Sequence, residues 1–350
     1  MGARISRRSV LEGMAAAPLV QGPAQGQQRV IKVVSLQEFT PEEVERLTAA
    51  VPNVKIDFTI AGRSHQRELL QQAEVLFGEL PGRELDYAPK LKWIQTGAAG
   101  MEWMDADFRK SPIPVTNYAR VFAPGISETA IGMLLALTKR IGTDYAVQFQ
   151  RREWRPRGTV KSADHIELAG RTMAIAGLGG IGTETARRAH YGFDMRIIAT
   201  DAKPIPKPHF VEELHDASWF SEMVPRADVL VAALPHTPAT ERLFDERVFR
   251  AMKKTAYFIA LSRGQVFDDM ALVKALKEGW IAGAGLDVFP REPVPPAHPI
   301  YDCTNVVMTP HTSGWSPERQ VRLVDLFVEN LNRYANGQPL RNVVDKTAGY

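Results

Sequence analysis

Short apolar segments alternate with amphipathic stretches through the first third of the chain. One amphipathic stretch begins at Pro41, after the first apolar segment, and another, RELLQQA, follows the second. The apolar segments are rich in β-prone residues and span residues 30–36, 55–60, 74–80, 91–96 and 113–118. This alternation predicts βαβ units around a parallel sheet.

A longer apolar stretch, SETAIGMLLALTKRI, then interrupts the alternation and predicts a helix, with Ser127 available as N-cap and Gly142 near its end. A second alternating series follows, with apolar segments at 171–178, 195–201, 227–235, 255–264, 282–289 and 305–310. Several of these are almost continuously apolar, as expected of strands covered on both faces. The final segment, residues 318–337, is helical by its spacing, and we expect it to pack back on the first unit.

Length and composition agree with two α/β domains, because 350 residues exceed one comfortable core. No run of 18 apolar residues occurs, and the single cysteine, Cys303, excludes an internal disulfide and every Cys-based zinc motif. The first 28 residues carry +2 of the formal net charge of +3. In the remainder basic and acidic residues are interleaved, which argues against nucleic acid as a partner. No metal site is predicted.

The stretch GLGGIG at residues 177–182 has the G-x-G-x-x-G pattern between an apolar strand and an amphipathic helix. Gly177 permits a tight turn, Gly179 lets backbone N–H groups approach a pyrophosphate, and Gly182 allows close packing of helix on strand. Asp201 closes the next strand and could accept hydrogen bonds from a ribose 2′-hydroxyl while repelling a 2′-phosphate. NAD is therefore favoured, and Lys203, two residues on, leaves NADP open.

Three polar residues follow apolar strands of the second series, where ligands of open parallel sheets bind. Arg263 follows AYFIAL, Glu292 lies beyond GLDVF, and His311 follows VVMTP. A guanidinium can hold a carboxylate and polarise a neighbouring carbonyl. An imidazole can give or take a hydroxyl proton near neutrality, and a carboxylate beside it fixes its tautomer. Together they suit dehydrogenation of a 2-hydroxy acid.

The chain resembles the D-isomer-specific 2-hydroxyacid dehydrogenase family over nearly all of residues 30–345. The motifs that carry the resemblance are GLGGIGTETARRA, ADVLVAALPHTPATERLF, MKKTAYFIALSRGQVFDDMALVKALKEGWIAGAGLDVFPREP and NVVMTPHTSG. The resemblance implies an α/β fold with two doubly wound parallel-sheet domains. A Rossmann NAD-binding domain of residues 126–318 is inserted into a discontinuous flavodoxin-like substrate domain of residues 29–125 and 319–350.

The resemblance also assigns residues to roles. It makes Arg263, Glu292 and His311 catalytic, and it places the substrate carboxylate on Arg263 and on backbone N–H groups around Ala98, Ala99 and Gly100. The predicted cofactor-binding set is Gly177, Gly179, Gly180, Ile181, Gly182, Asp201, Leu234, Pro235, Leu261 and Asp287. A homodimer formed through the helix SETAIGMLLALTKRI is expected.

The predicted function is hydride transfer between NAD(H) and a small D-2-hydroxy acid or its 2-keto acid, as in glyoxylate or hydroxypyruvate reductases. An alternative is an NAD(H)-sensing binding protein or a corepressor-like protein on the same scaffold. The presence of Arg263, Glu292 and His311 together favours catalysis over sensing.

The N-terminal stretch SRRSVL resembles a twin-arginine export signal. A short apolar segment, GMAAAPLV, follows it, and small residues at 22–24 suit cleavage after Ala24. We therefore predict that residues 1–28 are a signal peptide and that the mature protein is periplasmic, with no membrane association beyond the export machinery. The alternative is a disordered basic tail on a cytoplasmic protein.

Overall fold

A computed structural model describes residues 28–61, 66–154 and 165–349. The predicted export signal, apart from Gln28, lies outside the described residues. Within the ranges that are described, no helix combines the length and the apolar character that a bilayer span requires.

The first sheet has five parallel strands in the order β2-β1-β3-β4-β5. This is the flavodoxin-like order, and it confirms the predicted parallel sheet. The strands are β1 (Val30–Ser35), β2 (Lys55–Ile60), β3 (Val75–Phe77), β4 (Trp93–Gln95) and β5 (Val115–Thr116). The helices that accompany them are α1 (Pro41–Thr48), α2 (Gln66–Leu70) and α3 (Ala106–Lys110).

Two helices connect the sheets, α4 (Ala123–Thr138) and α5 (Ala146–Gln150), and the predicted ends of α4 are wrong. The helix begins four residues before Ser127, whose hydroxyl donates to the Pro124 carbonyl inside the first turns. Pro124 accounts for the earlier start, because its fixed φ suits the first turn of a helix. At the other end Arg140 takes the left-handed conformation (φ 58°), and Gly142 lies in a following π-helical turn.

The second sheet has seven parallel strands in the order β12-β11-β10-β9-β6-β7-β8. The order of strand addition reverses between β6 and β9: β7 and β8 are added on one side of β6, and β9 to β12 on the other. This is the arrangement of a Rossmann domain. The strands are β6 (Thr172–Ala176), β7 (Arg196–Thr200), β8 (Glu213–His215), β9 (Val229–Ala232), β10 (Tyr257–Ala260), β11 (Gly283–Leu286) and β12 (Val306–Met308). The helices are α6 (Gly180–Phe193), α7 (Phe220–Met223), α8 (Glu246–Ala251) and α9 (Asp269–Lys277).

The last helix, α10 (Pro317–Ala335), returns to the first sheet, as predicted. Phe327 is fully buried, and its ring centroid lies 5.0 Å from that of Phe77 and 5.7 Å from that of Trp93. The Tyr118 hydroxyl donates to the Leu323 carbonyl at 3.0 Å. Residues from both ends of the described chain therefore build one core, and the second domain is inserted between them.

Candidate active site

The Gly-rich turn between β6 and α6 allows contacts that a side chain would prevent. Gly177 has φ +90°, and a Cβ there would lie 2.8 Å from the Ala233 carbonyl oxygen. A Cβ on Gly182 would lie 2.0 Å from the Gly177 carbonyl oxygen, so the helix approaches the strand as closely as glycine permits. Gly179, the N-cap of the 14-residue α6, has open space where its Cβ would be. The turn thus presents bare backbone at a helix N-terminus, which is where anions bind.

A cavity of about 880 Å³ lies at this turn, at the carboxyl ends of the neighbouring strands β6 and β9. Of the predicted cofactor residues, its walls include Gly177, Gly179, Asp201, Leu234 and Pro235. The size of the cavity, its place at the topological switch point and the open backbone all fit a dinucleotide.

Asp201 fixes the turn as well as facing this cavity. Its two carboxylate oxygens accept the N–H of Leu178 at 2.9 Å and the N–H of Lys203 at 2.8 Å. A carboxylate has about four acceptor sites, so capacity for ribose hydroxyls remains. Lys203 also lines the cavity.

Arg263 follows β10 and is held by its neighbours. Its Nη1 donates to the Ser262 carbonyl at 2.8 Å, and its side chain is 29% exposed. Gly264 brings this turn against the loop after β11, because a Cβ on Gly264 would lie 1.8 Å from the carbonyl carbon of Phe289. Only glycine permits that approach.

Glu292 links the loop after β11 to the loop after β12. Its Oε1 accepts the N–H of Phe289 at 2.8 Å, and its Oε2 lies 2.7 Å from Nδ1 of His311. A carboxylate in this position accepts the proton on Nδ1, so Nε2 is the nitrogen left for proton exchange. The imidazole is 46% exposed.

The structure brings Arg263, Glu292 and His311 together. All three line one cavity of about 380 Å³ between the loops after β10, β11 and β12. Because these strands are adjacent and parallel, their carboxyl ends meet at one edge of the sheet. A guanidinium, a carboxylate and an imidazole therefore border the same space.

The predicted substrate loop after β4 lies across from Arg263. Ala99 and Gly100 line, with Arg263 and Ile181, a cleft of about 910 Å³ between the two domains. The N–H of Ala98 is instead hydrogen bonded to the Thr96 hydroxyl at 3.3 Å. The N–H groups of Ala99 and Gly100 donate to no acceptor among the described residues, so these two are the better candidates for holding an anion.

Three of the predicted cofactor residues, Leu261, Gly180 and Asp287, do not line the 880 Å³ cavity. Leu261 is 2% exposed and packs in the core of the second sheet. Gly180 approaches Arg120, whose Cγ would lie 2.8 Å from an added Cβ. Asp287 is 2% exposed, and its carboxylate accepts the Thr309 hydroxyl at 2.6 Å and the N–H of Thr312 at 2.9 Å. Asp287 therefore positions the loop that carries the imidazole.

Sequence reasoning missed Glu102, which stands at the end of the substrate loop. Its Oε1 accepts a hydrogen bond from Arg263 Nε at 2.7 Å, across 161 positions in the sequence. His236 lines the cleft between the domains and pairs with Glu241. The only sequence signal for Glu102 was an acidic side chain after a Gly-rich turn beside a predicted anion site.

Comparison with known proteins agrees with this geometry. The family model for the NAD binding domain of D-isomer specific 2-hydroxyacid dehydrogenases matches residues 131–313. A glyoxylate reductase of Thermofilum pendens is 36% identical over 276 residues, covering 78% of this chain and 80% of that protein. A glyoxylate/hydroxypyruvate reductase B of an Enterobacter species is 32% identical, covering 75% and 80%.

Among solved structures, the NADPH-dependent glyoxylate/hydroxypyruvate reductase of Sinorhizobium meliloti, in complex with NADP and sulfate, superimposes with a TM-score of 0.75. It is 28% identical, and the match covers 91% of this chain and all of that one. The fold and the site define a dinucleotide-dependent oxidoreductase. The chain belongs to the D-isomer specific 2-hydroxyacid dehydrogenase family.

Two glycine substitutions separate dinucleotide binding from folding. We expect Gly179→Ala to leave the urea midpoint unchanged and to weaken NADH binding, because its methyl group enters open space at the anion position. Gly182→Ala should cost about 1–3 kcal/mol of stability by overpacking the turn. Urea denaturation and NADH fluorescence titration measure the two effects.

Gly192→Ala is the matched control, since Gly192 lies in the same helix with nothing near its Cβ position. It should keep NADH affinity and gain about 0.5–1 kcal/mol. Wild-type affinity in Gly179→Ala would contradict the assignment of the turn.

Proposed function

We propose that the chain reduces a small 2-keto acid to its D-2-hydroxy acid with a nicotinamide dinucleotide, and catalyses the reverse reaction. The observation that carries this proposal is the convergence of Arg263, Glu292 and His311 on one cavity. The proposed domain limits are residues 126–318 for dinucleotide binding, with residues 29–125 and 319–350 for substrate.

The arginine and the substrate loop bind and orient the substrate. Arg263 pairs with its carboxylate and polarises the neighbouring carbonyl, while the N–H groups of Ala99 and Gly100 supply further hydrogen bonds. The ion pair between Arg263 and the substrate carboxylate, together with the N–H groups of the loop after β4, fixes the orientation of the keto acid between the domains. Its carbonyl oxygen can then be directed at the imidazole.

The histidine moves the proton. His311 donates from Nε2 to the carbonyl oxygen during reduction and takes the proton back during oxidation. Glu292 accepts the hydrogen bond from Nδ1 and so orients the imidazole with Nε2 free for this transfer. When bound, the nicotinamide supplies or accepts the hydride.

The 880 Å³ cavity is assigned to NAD(H), with Gly177, Gly179 and Gly182 forming the cradle and Asp201 facing the ribose. Lys203 on the same wall makes NADP(H) compatible with the site, and the related S. meliloti enzyme holds NADP. The substrates named for the relatives point to a keto acid as small as glyoxylate or hydroxypyruvate.

A homodimer is supported by apolar side chains left exposed after α4. Ile141, Phe149 and Trp154 are 58%, 52% and 82% exposed, and the last two rings lie 5.7 Å apart. Contiguous exposed apolar groups of this size mark interaction surfaces. Pairing of two copies over this segment and α4 would remove them from water.

Export through a twin-arginine route is supported by SRRSVL and the short apolar segment after it. That route carries proteins already folded, and a two-domain enzyme assembled around its dinucleotide is a suitable client. The mature protein is then periplasmic.

His311→Gln should lower kcat by about 10²–10⁴-fold, because proton transfer loses its donor, and should spare NADH affinity. The assay follows loss of reduced nicotinamide absorbance with a panel of 2-keto acids, using NADH and NADPH. His209→Gln, on the surface beside Tyr191, is the control and should keep wild-type turnover. Undiminished turnover in His311→Gln would refute the proton-transfer role, and NADH binding with no turnover in the wild type would favour a sensing protein.

Phe149→Ser should convert the dimer to monomer by removing apolar contact area at the exposed segment. Sedimentation equilibrium measures the mass. Met270→Ser is the control, since Met270 is 54% exposed on α9, away from this segment. A monomeric wild-type protein, or a dimer that survives in Phe149→Ser, would contradict this interface.

Residues 1–28 fused to a reporter should direct it to the bacterial periplasm. Replacing Arg7 and Arg8 by lysine in the same fusion should retain it in the cytoplasm. A reporter found only in the cytoplasm with both arginines intact would reject the export signal.

A further inference from the structure

Glu102 is hydrogen bonded to the guanidinium of Arg263, the same group that binds the substrate carboxylate in the proposed function. Arg263 donates from Nε to Glu102 at 2.7 Å and from Nη1 to the Ser262 carbonyl at 2.8 Å. The second N–H of Nη1 is therefore left for a substrate carboxylate, and so are both N–H groups of Nη2. Nη2 lies against Gly100, where an added Cβ would be 2.0 Å from Nη2 and 2.3 Å from Oε2 of Glu102. The carboxylate of Glu102 is thus next to any anion that reaches Nη2.

Glu102 is a carboxylate in this setting. Burial opposes its ionisation, but the hydrogen bond and the charge of Arg263, with a contribution from His236, hold its pKa below the usual value. The negative charge of Glu102 also acts on the neighbouring Glu79. Burial and the charge of Glu102 together raise the pKa of Glu79. Glu102 therefore keeps its negative charge beside Arg263.

Among the cations that line the described cleft, Arg263 is the one that contacts Glu102. Of the residues that line it, the positively charged or protonatable ones are Arg263, Arg109 and His236. His236 pairs with Glu241, whereas Arg109 donates to the carbonyls of Met104 and Lys346, keeps its positive charge and has no contact with Glu102. Once a substrate carboxylate joins Glu102 on Arg263, one guanidinium balances two negative charges.

We propose that Glu102 is a specificity-determining residue that selects 2-keto acids with a hydrogen-bond donor on C3 and rejects those with a second carboxylate. This inference rests on the proposed function, because it assumes that Arg263 binds the substrate carboxylate. In a keto acid of three or four carbons, every substituent on C3 lies within the Debye length of about 8–10 Å from Glu102. A hydroxyl or ammonium group there can donate to Oε2, whereas a carboxylate is repelled.

The test compares wild-type protein and Glu102→Gln with pyruvate, hydroxypyruvate and oxaloacetate at saturating reduced cofactor. These acids share C1 to C3 and differ in the C3 substituent, which is hydrogen, hydroxyl or carboxylate. Glu102→Gln should raise kcat/KM for oxaloacetate relative to pyruvate by about tenfold, mainly through KM, because one repulsive charge is removed at unchanged shape. The wild-type preference for hydroxypyruvate over pyruvate should fall.

Glu241→Gln is the matched control, because Glu241 lines the same cleft but pairs with His236. Its oxaloacetate to pyruvate ratio should stay at the wild-type value, and an equal shift there would overturn the assignment to Glu102. Active Glu102→Gln enzyme with unchanged ratios refutes this inference alone. A wild-type protein that turns over neither glyoxylate nor any of the three acids refutes the proposed function, and this inference with it. NADH titration of both variants confirms that each is folded.

Discussion

The contact between the backbones of Gly264 and Phe289 is the constraint on which the whole site depends. With a Cβ on residue 264 only 1.8 Å from a carbonyl carbon, the two turns could not meet. Their meeting brings the arginine after β10 beside Glu292, and Glu292 in turn holds His311 by its second oxygen. Three groups distant in the sequence are thus set by strand adjacency, one glycine and one bridging carboxylate.

Much of this arrangement could be predicted from local patterns. Alternating apolar and amphipathic segments predicted both parallel sheets and the return of the last helix, because burial on two faces leaves a strong signal. Strand ends predicted which polar residues converge, since parallel strands end at a common edge. The start of α4 was missed because Ser127 competed with Pro124, and a capping signal of one residue is weak against a proline that presets the backbone.

The contribution of the first domain to the site was harder to predict. The Glu102 to Arg263 ion pair joins residues 161 positions apart on different sheets, so nothing in either local pattern specifies it. Asp287 presents the same difficulty at shorter range: the family resemblance predicted a cofactor contact, and the structure adds that its carboxylate accepts hydrogen bonds from the loop after β12. Tertiary approach, more than residue type, decides what such carboxylates do.

The return of α10 to the first sheet has a consequence for the order in which the protein is made. Strands β1 to β5 are synthesised first, but Phe327 and Leu331 belong to the core that covers them. That core stays incomplete until the ribosome has released residues near the end of the chain. The inserted domain has all its strands by Met308 and can close earlier, so the half of the molecule that is translated first is the half that finishes folding last.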